Sequence, residues 1–172
     1  MSRTAVILAM VVVSALASHH HAPAVKQSNW NVQGTVNLVK EFEGCRLTAY
    51  ICPAGVLTIG YGHTGSDVHS GMKITQKQAE AFLAKDLQKF ANTVNSKVKV
   101  GLNANQRGAL VSFTFNVGGG AFGSSTLLKR LNKGENPNTV ASQELPKWNK
   151  GGGKVLPGLV RRRAAEVKFF KS

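Results

Sequence analysis

Thr75-Gln76-Lys77-Gln78 is a capping box, a threonine and a glutamine spaced to satisfy each other's backbone N–H groups at a helix start. Ala79, Phe82, Leu83, Leu87, Phe90 and Val94 recur on one face of the long helix that follows. A helix with one apolar stripe must lay it against other elements, so the flanking segments have to cover it. Before it, Val32, Val36, Val39 and Phe42 keep helical spacing and predict a helix over about residues 30–44, ended by Gly44. Thr48 to Ile51 and Val56 to Tyr61 are short β-prone runs divided by Cys52-Pro53-Ala54-Gly55, the pattern of a hairpin.

After Val100-Gly101 the elements shorten. Asn103 can cap an apolar helix containing Leu110, Val111, Phe113 and Phe115, with Gly118-Gly119-Gly120 as its stop. Ser125 to Asn132 reads as a further helix, and Asn136-Pro137 as an N-cap followed by a first-turn proline. Gly151-Gly152-Gly153 reads as a loop. Pro157 opens a final helix expected to turn Val160, Ala164, Val167 and Phe170 inward. No internal repeat is visible. The expected class is α+β: a small lobe with one hairpin, a long helix, and an all-helical lobe.

The 172 residues carry 22 Lys and Arg against 8 Asp and Glu, a net charge of +14, which favours a polyanionic partner. Nucleic acid, an anionic envelope surface and an acidic cell-wall polymer all qualify on charge. No RNA-binding signature and no interleaving of aromatic with basic residues is present, so a nucleic-acid partner is not expected. Two cysteines are too few for a disulfide scaffold or a four-thiolate zinc site, and no metal is expected.

Residues 1–25 form a separate unit. Arg3 precedes the weakly hydrophobic run Ala5 to Ala17, and Ala15-Leu16-Ala17 has the small-x-small form of a signal-peptidase site. The run covers about 20 Å as a helix, short of a hydrocarbon core of about 30 Å. A cleaved signal peptide is the plain reading. Extended through His19, His20 and His21 to Val25, the segment could also just span a bilayer as a weak helix. Residues 26–172 are then the folded domain.

Two arrangements around residue 60 carry chemistry. Gly60-Tyr61-Gly62-His63-Thr64-Gly65 satisfies G-x-G-x-x-G, but no helical pattern and no second strand follow, so tight turns fit better than a nucleotide site. Glu43, Cys52 and Thr58 form the other. A helix end and the two arms of a hairpin can converge on one cleft, supplying an acid, a second polar group and a hydroxyl, the parts glycoside hydrolysis needs. His63 and His69 are expected as solvated loop histidines, and Arg161-Arg162-Arg163 as a solvated basic stripe.

Glu43-Gly44-Cys45-Arg46-Leu47, Tyr50, and Gly55-Val56-Leu57-Thr58-Ile59-Gly60-Tyr61-Gly62-His63 resemble the catalytic stretch of the T-even-phage type lysozymes, glycoside hydrolase family 24. Asn105 to Phe113, Asn116-Val117-Gly118 and Leu156 to Arg163 resemble that family's C-terminal lobe, so the likeness runs from about Val32 to the end. The resemblance implies a lysozyme-like fold and a phage or prophage endolysin without a cofactor. Such an enzyme is a muramidase that cleaves between N-acetylmuramic acid and N-acetylglucosamine in peptidoglycan and lyses the host.

The family pattern is Glu, Asp nine residues later and Thr six beyond. Glu43 and Thr58 match, whereas Cys52 stands in the Asp position, as in some signal-arrest-release endolysins. The resemblance therefore implies Glu43 as general acid, Cys52 as base or nucleophile, and Thr58 as the group that orients water. In an oxidising periplasm Cys45 and Cys52 could pair as a redox gate. No third cysteine lies in residues 1–25 to undo that bond by exchange within the chain. The expected setting is an exported monomer acting on peptidoglycan at an anionic envelope surface, periplasmic or transiently tethered to the inner membrane. The alternatives are a lytic transglycosylase, or a non-enzymatic cationic protein that binds or permeabilises the envelope.

Overall fold

The computed structural model describes residues 29–52 and 55–172; the expected export segment, 1–25, lies outside them. Helix α1 (Val32–Lys40) leads into a hairpin of β1 (Arg46–Ile51) and β2 (Leu57–Gly60), followed by the long α2 (Gln76–Lys97). The second lobe comprises α3 (Ala104–Val117), α4 (Gly119–Ser124), α5 (Thr126–Asn132), α6 (Pro137–Glu144) and a 3₁₀ turn at Leu145–Lys147. A two-residue hairpin, β3 (Lys150–Gly151) and β4 (Lys154–Val155), precedes α7 (Pro157–Phe170). Among the described residues no helix is long and apolar enough to cross a membrane.

The capping box of α2 is complete: the Thr75 backbone N–H donates to Gln78 Oε1 and the Gln78 N–H donates to Thr75 Oγ1. Ala79, Leu83, Leu87, Ala91 and Val94 are buried along its length, while Phe82 and Phe90 are only partly covered. The innermost element is α3, not α2. Residues 108–114 of α3 are buried on every side, as expected of a helix enclosed by α1, α2 and α7. A second capping box, Asn103 with Gln106, starts it.

Gly108 sets how closely α1 can approach α3. A Cβ there would lie 2.5 Å from Thr35 Oγ1 and 3.0 Å from Phe169 Cε1. Thr35 cannot retreat, because its hydroxyl donates to Asn31 O at 2.6 Å.

Several expectations need correction. α1 stops at Lys40 rather than Gly44, because Glu41 and Phe42 donate to the carbonyls three residues back and tighten the chain into a turn. Gly118, at φ 89°, ends α3, but Gly119 and Gly120 begin α4 instead of extending a stop. The triple glycine is no open loop: Gly152 and Gly153, at φ 56° and 77°, make the two-residue turn joining β3 to β4. The face of α7 is rotated from the apolar reading. Val160 and Ala164 point outward and Val167 is half-buried, while Arg162, Arg163, Glu166 and Phe170 are buried. Arg161 alone of the three arginines is exposed.

At the junction of α5 and α6, Arg130 bonds Glu135 and Glu144, and Lys147 adds a second cation on Glu144. The Arg130 guanidinium holds the Glu135 carboxyl below the usual glutamate range. For Glu144, burial pushes the carboxyl up, but the bonds from Arg130 and Lys147 outweigh it and the net direction is down.

Gly108→Ala should cost roughly 1–3 kcal/mol through overpacking. Gly120→Ala, on a helix with nothing within 4 Å, should instead be neutral or gain up to about 1 kcal/mol; paired thermal melts decide. A carboxyl lowered by folding contributes stability that is complete above its unfolded value and lost as pH falls through the folded one. Melting temperature should therefore drop as pH falls below the ordinary glutamate value of 4.5, and less steeply in Glu135→Gln.

Candidate active site

A cleft of about 330 Å³ opens between the turn after α1 and the start of α7, bordered by Phe42, Glu43, Asn116, Leu156, Leu159 and Arg162 among others. Glu43 enters it from the turn that closes α1, its backbone N–H donating to Val39 O at 3.0 Å. Arg162 Nη1 donates to Glu43 Oε1 at 2.6 Å. The glutamate side chain is 30% exposed and the arginine only 3%. A half-buried carboxylate facing a cleft is thus gripped from behind through one oxygen, leaving Oε2 outside that contact.

On the hairpin, Tyr50 pairs with Thr58 and Ile51 with Leu57, and the Cys52 backbone N–H continues the ladder by donating to Val56 O at 2.9 Å. Side chains alternate along a strand, so Cys52 and Thr58 stand on the same face, diagonal neighbours across the pair. The Val56 carbonyl joins them, because it also accepts the Thr58 Oγ1 hydrogen at 2.9 Å. A hydroxyl whose hydrogen is committed in this way has only lone pairs left, so any further polar neighbour must donate to it. Thr58 is buried and Cys52 half-buried.

Cys45 and Cys52 are both thiols, with no disulfide between them. They bracket β1 from its two ends. Seven residues of extended chain span on the order of 20 Å, whereas a disulfide needs Cα atoms within about 7 Å. Cys45 Sγ instead faces Gln76 Oε1 at 3.8 Å. Pairing the two thiols requires β1 to come apart.

His69 is exposed, but His63 is not a solvated loop residue. It is 4% exposed and stacked on Phe82 at 4.4 Å, with Nδ1 2.7 Å from Asp86 Oδ2 and Nε2 3.2 Å from Asp67 Oδ1. The bond to His63 holds the Asp67 carboxyl below the usual range. The Gly60–Gly65 motif belongs to this turn: Ile59 and His63 exchange backbone hydrogen bonds, and Gly60 and Gly62 have positive φ of 64° and 91°. No helix follows it.

Beneath Glu43 lies a cluster that sequence reasoning missed. Glu166, fully buried, lies 3.3 Å from Arg162 Nε and 3.0 Å from Arg163 Nε. Ser112 donates its hydroxyl to Glu166 Oε1 at 2.9 Å, and Arg163 Nη2 donates to Asn116 Oδ1 at 2.8 Å. Burial pushes the Glu166 carboxyl up, against the pull of the Arg163 and Arg162 guanidiniums and the Ser112 bond. Neutralising it would leave the buried Arg163 without its carboxylate partner. The i, i+3 and i, i+4 spacing of Arg163 and Arg162 to Glu166 announced an ion pair on α7. It could not announce that the pair is inside.

A hairpin lobe and a helical lobe packed around a buried helix, with a carboxylate in the cleft beside them, define a lysozyme-like fold. The solved muramidase domain of SpmX from Asticaccaulis excentricus superposes with a TM-score of 0.73 at 40% identity, over 83% of this chain and 99% of that one. Residues 40–166 match the model of the phage lysozyme family. The chain belongs to that family. The endolysin of Bacillus phage PZA is 51% identical over 142 residues, 81% of this chain. The chain spans about half of that relative, 54% of its length. A SAR-endolysin of Bacteriophage PS119 is 43% identical over 72% of this chain and 73% of its own.

Oxidising Cys45 to Cys52 should dismantle the hairpin. Hydrogen exchange at the Cys52 amide is expected to rise sharply in the oxidised protein and to return to its slow rate on reduction; unchanged protection would show that the strand tolerates the bond.

Proposed function

We propose that this protein is an exported endolysin, a muramidase that hydrolyses the β-1,4 bond between N-acetylmuramic acid and N-acetylglucosamine in peptidoglycan. The observation that carries the reading is the Glu43 carboxylate, open to the cleft and gripped by Arg162 through one oxygen. Its similarity to endolysins and to a muramidase domain supports it. Residues 1–25 act as the export signal or weak membrane tether, and 26–172 as the catalytic domain.

Glu43 supplies a proton to the glycosidic oxygen as the bond to the anomeric carbon breaks. Cys52 takes the place the family gives to Asp. As a base, its thiolate removes a proton from the water that attacks that carbon. As a nucleophile, it bonds to the carbon first and water later displaces it. Thr58 orients the water in either course: with its own hydrogen held by Val56 O, it accepts one hydrogen of the water and leaves a lone pair free to attack. The Cys45–Cys52 gate consumes the Cys52 thiol, and forming it also undoes the strand that presents Cys52.

A cationic envelope-binding role draws on one further feature. Between Glu144 and Glu166 there is no acidic residue, and Lys150, Lys154 and Arg161 are exposed. That role predicts killing that survives Glu43→Gln and falls with salt.

Purified peptidoglycan digested by reduced protein should release muropeptides with hydrated reducing ends. Glu43→Gln should lower that release by about 100-fold or more with an unchanged melting temperature. Cys52→Ser should also lose activity, and Cys52→Asp should keep it. Anhydro ends would make the enzyme a lytic transglycosylase, and full activity in Glu43→Gln would refute the assignment.

A further inference from the structure

Resting on the reading of Glu43 as the acid, we propose that Glu166 is a positioning residue for catalysis. It pulls the Arg162 fork back so that the arginine grips Glu43 through one oxygen and leaves the other free to carry the transferable proton.

Each nitrogen of Arg162 has an acceptor. Nε donates to Glu166 Oε1 at 3.3 Å, Nη2 to the Ser112 carbonyl at 3.4 Å, and Nη1 to Glu43 Oε1 at 2.6 Å. The guanidinium also lies 5.7 Å from the centre of the Phe42 ring, next to Glu43 in the chain. A guanidinium beside a carboxylate tends to turn into the two-bond, fork-to-fork arrangement. Here the fork is already committed on its far side. Glu166 is fixed in turn by the Ser112 hydroxyl and by Arg163, whose guanidinium lies 5.0 Å from the centre of the Phe113 ring.

Charge explains why a carboxylate stands there. Arg162 and Arg163 are adjacent, buried cations, and without an anion between them each would repel the other. Arg162 Nε would then have lost its acceptor, with one carboxylate remaining within reach, that of Glu43. Closing on both oxygens of Glu43 would occupy the position from which the proton must leave. Glu166 itself is fully buried beneath the cleft, so it acts only through Arg162.

The test uses the full-length reduced chain and soluble, uncross-linked glycan strands. Glu166→Gln should lower kcat roughly 10- to 100-fold, the scale of a small misplacement of a catalytic group, with KM nearly unchanged. Because that change strands a buried cation, Glu166→Leu with Arg163→Met is made alongside it to restore charge balance. Melting temperature should recover in the double variant while kcat stays low. A merely structural role for Glu166 predicts that both recover, and that result would overturn the proposal. If neither variant folds, Ser112→Ala decides: a several-fold loss of kcat at constant KM supports the proposal, and wild-type kcat refutes it. Wild-type protein that yields no hydrated products, or Glu43→Gln that stays active, would instead sink the muramidase reading.

Discussion

A carboxylate buried between two guanidiniums, Glu166 with Arg162 and Arg163, ties the back of the cleft to the core. Three charges inside a protein are costly unless each finds its partner, and breaking such a cluster commonly costs several kcal/mol. The cluster is held from two sides, by Ser112 and Asn116 on α3 and by Glu43 from the turn after α1. α7 cannot rotate or slide without breaking these bonds. The same contacts that order the helical lobe therefore orient the carboxylate that faces the cleft.

The hairpin lobe follows a different logic. Its register is set by ladder bonds, and the Thr58 hydroxyl caps the Val56 carbonyl. β1 buries none of its residues, unlike β2 and α3, which makes it the strand most easily remodelled. That suits a strand carrying one cysteine at each end. The His63 clamp joins this lobe to α2, since Asp86 lies on that helix and the Phe82 beneath the imidazole ring does too.

Much of the architecture was legible from local chemistry. The capping box at Thr75 and the N-caps at Asn103 and Asn136 are short-range signals, and side chains satisfy them within a few residues. The apolar stripe of α2 was equally plain. α7 was misread because its buried face is largely charged. Periodicity assigns the inside to apolar residues, so Val160 and Ala164 were expected where Arg162, Arg163 and Glu166 lie. His63 was misread for a related reason: its partner Asp86 is 23 residues away, and nothing near His63 in the chain marks it as buried.

The sequence alone determined the class of fold, most of the helix starts and the hairpin, and it singled out Glu43, Cys52 and Thr58 as candidates by their spacing. These rest on interactions between residues close in the chain, or on a motif carried as written. Tertiary structure alone decided which helix is central, which face of α7 is buried, and that Arg162 meets Glu43 from 119 residues away. Burial of charge is decided by whether distant partners arrive together. No local pattern encodes that meeting, because the same Arg-Arg-Ala-Ala-Glu run on an exposed helix would be an ordinary solvated ion pair.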